Sequence, residues 1–380
     1  LIGAAWAFGT ETALRLFLRR IFHARAFERA EAEVRITVQN QSSFPALAPV
    51  VKDFFPPQDM LVKNIALPKD LPPRTSLQVA YRAFCLRHRG TYKLGPLNIT
   101  YFDPLGIFER ERKFPKLSEF TVLPLPLTVP ELGLDGRSAT FSAFTPDRQS
   151  RGESLKFYGL REYMPGDPLR FVCWRASARL GRLVVREFES DLSAQVTVFL
   201  DLARSSLAGL GAESTVEYAI RLAAALAKAS ITQGHEIQLI GEGDRPLRVP
   251  LGSGEIHLSY LLTELAEIKP LGEKFFYDLI RENINLVPQG SQVYLILGTV
   301  HHNPSLYADP LTFLFGRGAK VKAFLMDDRT FIQHKRWRSE VEKERTPELL
   351  RFFISNGIQS RLIAKGSDLL TSIAQREVRL

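Results

Sequence analysis

From Ala194 to its end, the chain alternates short apolar strands with amphipathic helices, and this constrains its fold more than any other feature. AQVTVFLD is a continuous apolar strand that delivers Asp201 to its C-terminal end. STVEYAIRLAAALAKASI follows as a helix, with apolar residues three and four apart, and then EIQLIG and PLRVP as strands. EIHLSYLLTELAEI is a helix, SQVYLILG a buried strand, PLTFLFGRG a helix ending at glycine and AKVKAFLMD a strand. Thr346 stands as the cap before Pro347, at the first position of the helix TPELLRFFISNG, and IQSRLIA closes the series as a strand. The alternation predicts a doubly wound α/β domain over 194–380, its mainly parallel sheet covered on both faces. Ligands of such sheets bind beyond the carboxyl ends of the strands, which is where Asp201 falls.

Residues 31–129 follow a different rule. EVRITVQN, LQVAYRAFCLRHRG, LNITYF and EFTVLPLP read as short strands, divided by the turns FFPPQD, LPKDLPPRT and YFDPLG. They predict a small antiparallel β-sandwich with helical content near zero. A linker rich in Gly, Ser, Thr and Pro is expected over 130–150, and residues 151–193 then join the two domains.

The first residues, LIGAAWAF, are wholly apolar and run into LRLFLRR. Residues 1–25 are expected to be an N-terminal helix, the remnant of a transmembrane or juxtamembrane segment too short to span by itself. Arg15, Arg19, Arg20 and Arg25 follow at once, and the positive-inside rule then puts the soluble domains on the cytoplasmic side of the cell membrane. A soluble amphipathic helix is the rival. A signal peptide fits poorly, because the charges follow the apolar stretch.

With 380 residues, 45% apolar and 24% charged, the chain can form two globular cores, and wholesale disorder is excluded. A net charge of +9 points to an acidic partner: nucleic acid, anionic lipid or an acidic protein face. Cys85 and Cys173 sit among apolar or bulky neighbours outside any CxxC, so two buried reduced thiols are expected and zinc is not.

The densest chemistry lies between Arg151 and Glu189, where arginines interleave with Phe157, Tyr158, Tyr163, Phe171 and Trp174 around the tight turn Met164-Pro165-Gly166-Asp167. Anion or nucleic-acid binding is one reading, because guanidinium groups fork onto phosphate and aromatic rings offer stacking faces. A second has the arginines paired with Glu153, Glu162, Asp167, Glu187 and Glu189 to brace the junction. A third is a protein-docking surface.

This run, RGESLKFYGLREYMPGDPLRFVCWRASARLGRLVVREFE, closely resembles the signature of the bacterial family known as domain of unknown function 58. Its signature positions here are Arg161, Tyr163, Pro165, Gly166, Asp167, Arg170, Trp174, Arg175, Ser177, Arg179, Arg186 and Glu187. RGTYKLGPLNITYFDPLGIFERER, from Arg89 to Arg112, and PLRVPLGSGEIHLSYLLTELAEI resemble two further segments of the family. The resemblance implies a membrane-anchored protein with two spanning helices, a β-sandwich and a von Willebrand factor A-like (Rossmann-like) domain. It also implies partnership with a MoxR-type AAA ATPase in assembling or activating other proteins, and no established enzyme class.

Domains of that type often carry an adhesion-type Mg²⁺ site, opened by Asp-x-Ser-x-Ser and completed by a Thr and an Asp from other loops. Here the first loop is Asp201-Leu202-Ala203-Arg204-Ser205, with no ligand atom at Ala203 and a repelling charge at Arg204. The strand SQVYLIL ends in Gly298-Thr299 where an Asp is wanted, and Ser253 could stand for the Thr. The candidate metal set is therefore degenerate: Asp201, Ser205 and Ser253, with tight Mg²⁺ binding not expected. The alternative is an Asp201 carboxylate bonded to backbone amides at the strand end and salt-bridged to Arg204.

His301-His302-Asn303 reads as a polar loop and Asp327-Asp328 as a solvated turn. RTFIQHKRWRSEVEKERT is a charged loop or helix, and its basic half, Lys335 to Arg338, could meet lipid or a partner. The chain has no GxxxxGK[ST], GxSxG or GxGxxG motif, so an ATPase, a serine hydrolase and a dinucleotide enzyme lack support. The expected function is a non-enzymatic, membrane-anchored scaffold working with a MoxR-type ATPase, without cofactor, nucleic acid or small-molecule substrate. The alternatives are a nucleic-acid- or anion-binding protein using 151–189, and a Mg²⁺-dependent activity around Asp201.

Overall fold

The computed structural model describes residues 2–103, 105–126, 138–141, 156–164, 167, 169, 172–191, 194–299, 303–332 and 347–367. Helix α1 (Ile2–Arg15) opens the chain and stops ten residues short of the expected boundary at 25. From Leu16 burial, not residue type, alternates with period two, and the chain becomes strands β1 (Leu16–Phe22) and β2 (Arg25–Phe27). The inward face of β1 carries Arg20, whose guanidinium lies against the fully buried Asp53 carboxylate. Tyr81 donates its hydroxyl to the same carboxylate at 2.7 Å. Arg20 is thus a core residue and not a membrane-proximal charge. Among the described residues no helix is long and apolar enough to cross a membrane.

The β-rich region continues with β3 (Glu31–Asn40), β4 (Leu47–Phe55), β5 (Leu61–Ala66), β6 (Ser76–Phe84), β7 (Gly90–Leu94), β8 (Leu97–Phe102), β9 (Glu109–Phe114) and β10 (Ser118–Leu123). Three sheets, ordered β1-β3-β6, β2-β10-β7 and β5-β4-β8-β9, surround one core that includes Ile36, Val51, Phe55 and Phe120. No helix occurs among its described residues between 16 and 126. Pairing is antiparallel throughout, except that β2 runs parallel to β10, a departure from the expected purely antiparallel arrangement. Cys85 is buried here and Cys173 is half-buried in the signature segment, not buried as expected; neither forms a disulfide.

The signature segment makes its own small sheet. Strands β11 (Ser138–Phe141), β12 (Lys156–Glu162) and β13 (Val184–Asp191) pair antiparallel in the order β11-β13-β12, with helix α2 (Trp174–Leu180) between β12 and β13. The expected linker over 130–150 therefore contains a paired strand.

The α/β region begins with β14 (Gln195–Leu200), the short hairpin β15 (Gly209–Leu210) and β16 (Glu213–Ser214), and helix α3 (Thr215–Thr232). Next come β17 (Glu236–Glu242), β18 (Pro246–Gly252), α4 (Gly254–Glu267), α5 (Phe276–Asn283) and β19 (Gln292–Leu297). It closes with α6 (Ala308–Gly316), β20 (Lys320–Met326), α7 (Asp328–Phe331), α8 (Glu348–Ser355) and β21 (Gln359–Ile363). Pro347 is the residue before α8, not its first helical position, and Thr346 lies outside the described residues.

Six strands form one sheet in the order β18-β17-β14-β19-β20-β21, all parallel except β18. Successive strand residues point to opposite faces. Val198, Leu200 and Ile296 pack against α3 and α4, whereas Phe199, Leu295 and Leu297 pack against α5, α6 and α8. Both faces are covered, which explains why the strands read as unbroken apolar runs.

The two regions meet through charge as well as apolar contact. Helix α4 packs on β7 and β10, and Leu123, the last residue of β10, joins the α/β core. Arg89 reaches from just before β7 to Glu217 in the first turn of α3, with Nε and Nη2 each 3.1 Å from a carboxylate oxygen. Its Nη1 donates to the carbonyls of Leu265, Ala266 and Ile268 at 2.7, 3.1 and 2.7 Å, capping the C-terminus of α4. Glu28 accepts the Arg89 backbone N–H at 2.8 Å and pairs with Arg221 of α3 at 3.3 Å.

Candidate functional site

Counted from β14, the sheet order is 3-2-1-4-5-6, so the chain reverses direction across the sheet between β14 and β19. Asp201 sits there, fully buried, immediately after β14. Its backbone N–H donates to the Ile296 carbonyl at 2.9 Å. Its Oδ1 accepts the Ala203 N–H and its Oδ2 the Gly298 N–H, both at 3.1 Å. The carboxylate is a staple between two neighbouring strand ends.

Gly298 is explained by what crowds it. A Cβ at that position would lie 2.8 Å from the Ser206 Cβ and 3.5 Å from Asp201 Oδ2, so an aspartate cannot occupy it without rebuilding the loop. The Arg204 side chain is exposed and forms no ion pair with Asp201; its backbone N–H instead donates to the Gly272 carbonyl at 2.8 Å. Of the expected pairings for Asp201, the amide bonds are present and the arginine bridge is absent.

Of the two serines proposed as partners of Asp201, Ser253 is not in position. Ser205 is exposed, whereas the neighbouring Ser206 is 1% exposed, its Oγ lacking a hydrogen-bond partner among the described residues. Ser253 lies at the opposite edge of the sheet. Because β18 runs antiparallel to β17, Gly252 pairs with Ile237 near the start of β17, level with Val196. Leu200, just before Asp201, pairs instead with Gly241 near the end of β17. At about 3.3 Å per residue the separation is on the order of 15 Å. The segment beside the Asp201 loop is the one around Gly272, which bridges to Ala203.

Asp327 and Asp328 are 7% and 9% exposed, not a solvated turn. Asp327 is held by Arg329 at 2.7 and 3.1 Å, and Asp328 accepts the Thr299 hydroxyl at 3.1 Å. Burial first, and then the Asp201 charge, hold the Tyr307 hydroxyl pKa well above its ordinary value. Among the described residues no three His, Cys, Asp or Glu side chains are grouped to hold a metal. The donor set does not fit Mg²⁺, because both Asp201 oxygens bond to backbone amides and Ser253 lies at the opposite edge of the sheet. His301 and His302 lie outside the described residues; Asn303 accepts the Ser305 N–H at 3.1 Å, turning the chain toward α6.

The signature segment combines bracing with exposure. Arg161 forks onto Asp167 at 2.7 and 2.8 Å, and Asp167 also accepts the Met164 N–H at 2.9 Å, closing the turn. The Arg161 hydrogen bond, followed by that of Met164, holds the Asp167 carboxyl below its usual pKa range. Arg182 and Glu162 make a looser, exposed pair at 3.4 Å. Ser177 is buried and accepts the Val184 N–H at 3.0 Å, fastening α2 to β13. The Tyr163 backbone N–H donates to Leu183 at 2.9 Å.

Trp174, by contrast, is 63% exposed, and Arg175 and Arg179 are exposed without an ion pair among the described residues. Pro165, Gly166, Arg170 and Glu153 lie outside the described residues, as do the side chains of Arg186, Glu187 and Glu189 and the basic run Lys335 to Arg338. Sequence reasoning missed Arg89, Glu28, Glu217 and Arg221. The one local signal was Ser214-Thr215-Val216-Glu217, a capping-box pattern whose Ser214 hydroxyl does accept the Glu217 N–H.

Residues 159–288 match the family described as Protein of unknown function DUF58. No curated relative matches the sequence. Among solved structures, a CARDB domain from Pyrococcus furiosus, in complex with di-metal ions, is similar at 16% identity, covering 29% of this chain and 93% of its own, with a TM-score of 0.21. A putative ApaA protein from Bordetella pertussis is similar at 12% identity, covering 30% and 94%, with a TM-score of 0.20. An alkylpurine DNA glycosylase from Pseudomonas fluorescens is similar at 7% identity, covering 30% and 35%, also with a TM-score of 0.20. At such scores the likeness extends to no functional residue.

Proposed function

We propose, from the premise that residues 159–288 belong to the DUF58 family, that this protein is a non-enzymatic interaction scaffold. Its α/β region is read as von Willebrand factor A-like, supported by the 3-2-1-4-5-6 order and the antiparallel edge strand β18. Its partner, by the family resemblance, is a MoxR-type AAA ATPase. The observation that carries this reading is Asp201. At the sheet edge where a ligand would be handled, its carboxylate is engaged by Ala203 and Gly298 and holds two strands together.

A location at the cytoplasmic side of a membrane belongs to the same proposal. It rests on the apolar α1, with Trp6 exposed, and on Arg15, Arg19 and Arg25, without Arg20. Co-purification of the intact protein with a MoxR-type ATPase encoded beside it, with and without nucleotide, tests the reading. Retention of the ATPase through purification is expected; failure to retain it in either state would sink the proposal.

A further inference from the structure

We propose that the outer face of α2 is the docking surface of this scaffold, and that it takes an acidic protein face carrying an apolar slot. The inference rests on the interaction-scaffold reading and names the surface and chemistry it uses. Around a helix, Trp174 and Ala178 share one stripe and Arg175 and Arg179 the next, because residues four apart stack on the same side. Ser177 is buried against β13, on the side of the helix opposite Arg175 and Arg179. α2 is thus fastened to the fold through Ser177 and exposes two guanidinium groups, with the Trp174 indole on the adjoining stripe.

Among the described residues the charge on this face is uncompensated. Arg161 is forked onto Asp167 and Arg182 is paired with Glu162, whereas Arg175 and Arg179 have no ion-pair partner among the described residues. Their two positive charges therefore define the complement as acidic. Large apolar side chains of the same segment are exposed as well: Trp174 63%, Met164 65%, Leu169 60% and Leu180 54%. Backbone bonds from Tyr163 to Leu183 and from Cys173 to Val184, each 2.9 Å, tie these positions into one unit. Interface hot spots are enriched in tryptophan and arginine, and exposed leucine and methionine in the same segment favour a protein over a nucleic acid, which would reward further cations instead.

The test uses the full chain and a fluorescent amphipathic peptide of glutamate and leucine, with a lysine-leucine peptide and a single-stranded DNA oligonucleotide as comparisons. The acidic peptide is expected to bind, more weakly as salt rises, and Trp174→Ala or the pair Arg175→Glu, Arg179→Glu should weaken it at least about tenfold. All three positions are exposed, and unchanged melting curves would show the variants to be folded. No binding of the acidic peptide, equal binding by the variants, or a stronger Trp174-dependent binding of the oligonucleotide would each overturn the proposal. Binding of the purified MoxR-type ATPase to the same proteins is scored separately. A chain that binds the peptide through Trp174 but not the ATPase keeps the surface and loses the partner; one that binds the ATPase with no loss in the variants keeps the partner and loses the surface.

Discussion

Arg89 and Glu217 are 128 residues apart in sequence, yet form a buried ion pair across the junction of the β-rich and α/β regions. Removing one member of such a pair leaves the other charged and desolvated. Arg89→Ala is therefore expected to lower stability by about 3–5 kcal/mol in urea denaturation. Arg245→Ala, which loses a more exposed pair with Glu264, should cost no more than about 1 kcal/mol. Equal losses for the two would remove the junction from the account of stability.

Asp201 is predicted to act as a staple and not as a metal ligand. Asp201→Ala orphans two buried N–H groups, those of Ala203 and Gly298, at about 1–3 kcal/mol each. Melting of the wild type should be the same in Mg²⁺ and in EDTA. A Mg²⁺-dependent rise in the midpoint that disappears in Asp201→Ala would restore a metal to this edge.

Gly298 and Ser206 should respond in opposite ways. Gly298→Ala presses a methyl group toward the Ser206 Cβ at 2.8 Å and its carbonyl oxygen at 3.0 Å, costing about 1–3 kcal/mol. Ser206→Ala removes a buried hydroxyl that has no partner among the described residues, so it should be neutral or slightly stabilising. Denaturant titration of the two variants checks both signs.

The Asp167 turn gives a pH dependence. The folded carboxyl pKa is depressed, chiefly by Arg161, so its contribution is fully present above the unfolded pKa of about 3.9. That contribution is lost as pH falls through the depressed folded value. The protection of the Met164 amide, whose N–H bonds to Asp167, relative to an unstructured amide at the same pH, should therefore fall below about pH 4. In Asp167→Asn that protection should be low already at neutral pH and change little with acid. A wild-type segment whose protection ignored acid in that range would contradict the role given to the turn.

Much of the α/β region was legible because its strands are buried on both faces, so that VTVFL and VYLIL show as unbroken apolar runs. The start of the β-rich region was not. LRLFLRRIF follows an apolar helix without a break in composition, and only pairing with β3 makes Leu16–Phe22 a strand. Ser253 was misplaced for a topological reason: sequence order does not reveal that β18 runs antiparallel and returns the chain to the far edge. Asp328 looked like part of a hydrophilic turn because its partner Thr299, 29 residues away, becomes a neighbour only when β19 and β20 align, whereas the Arg329 partner of Asp327 is local. The Arg161–Asp167 brace was readable, since six residues and a turn separate the pair.

Helix α4 ends in carbonyls that its own region leaves for a foreign guanidinium to satisfy. An α/β half expressed alone would fray at that terminus and leave Glu217 without the Arg89 guanidinium. The N-terminal half is accordingly a folding cofactor supplied in cis, not a detachable module. Recombination at the 151–193 segment would be tolerated only when the incoming half brings its own arginine to the same spot.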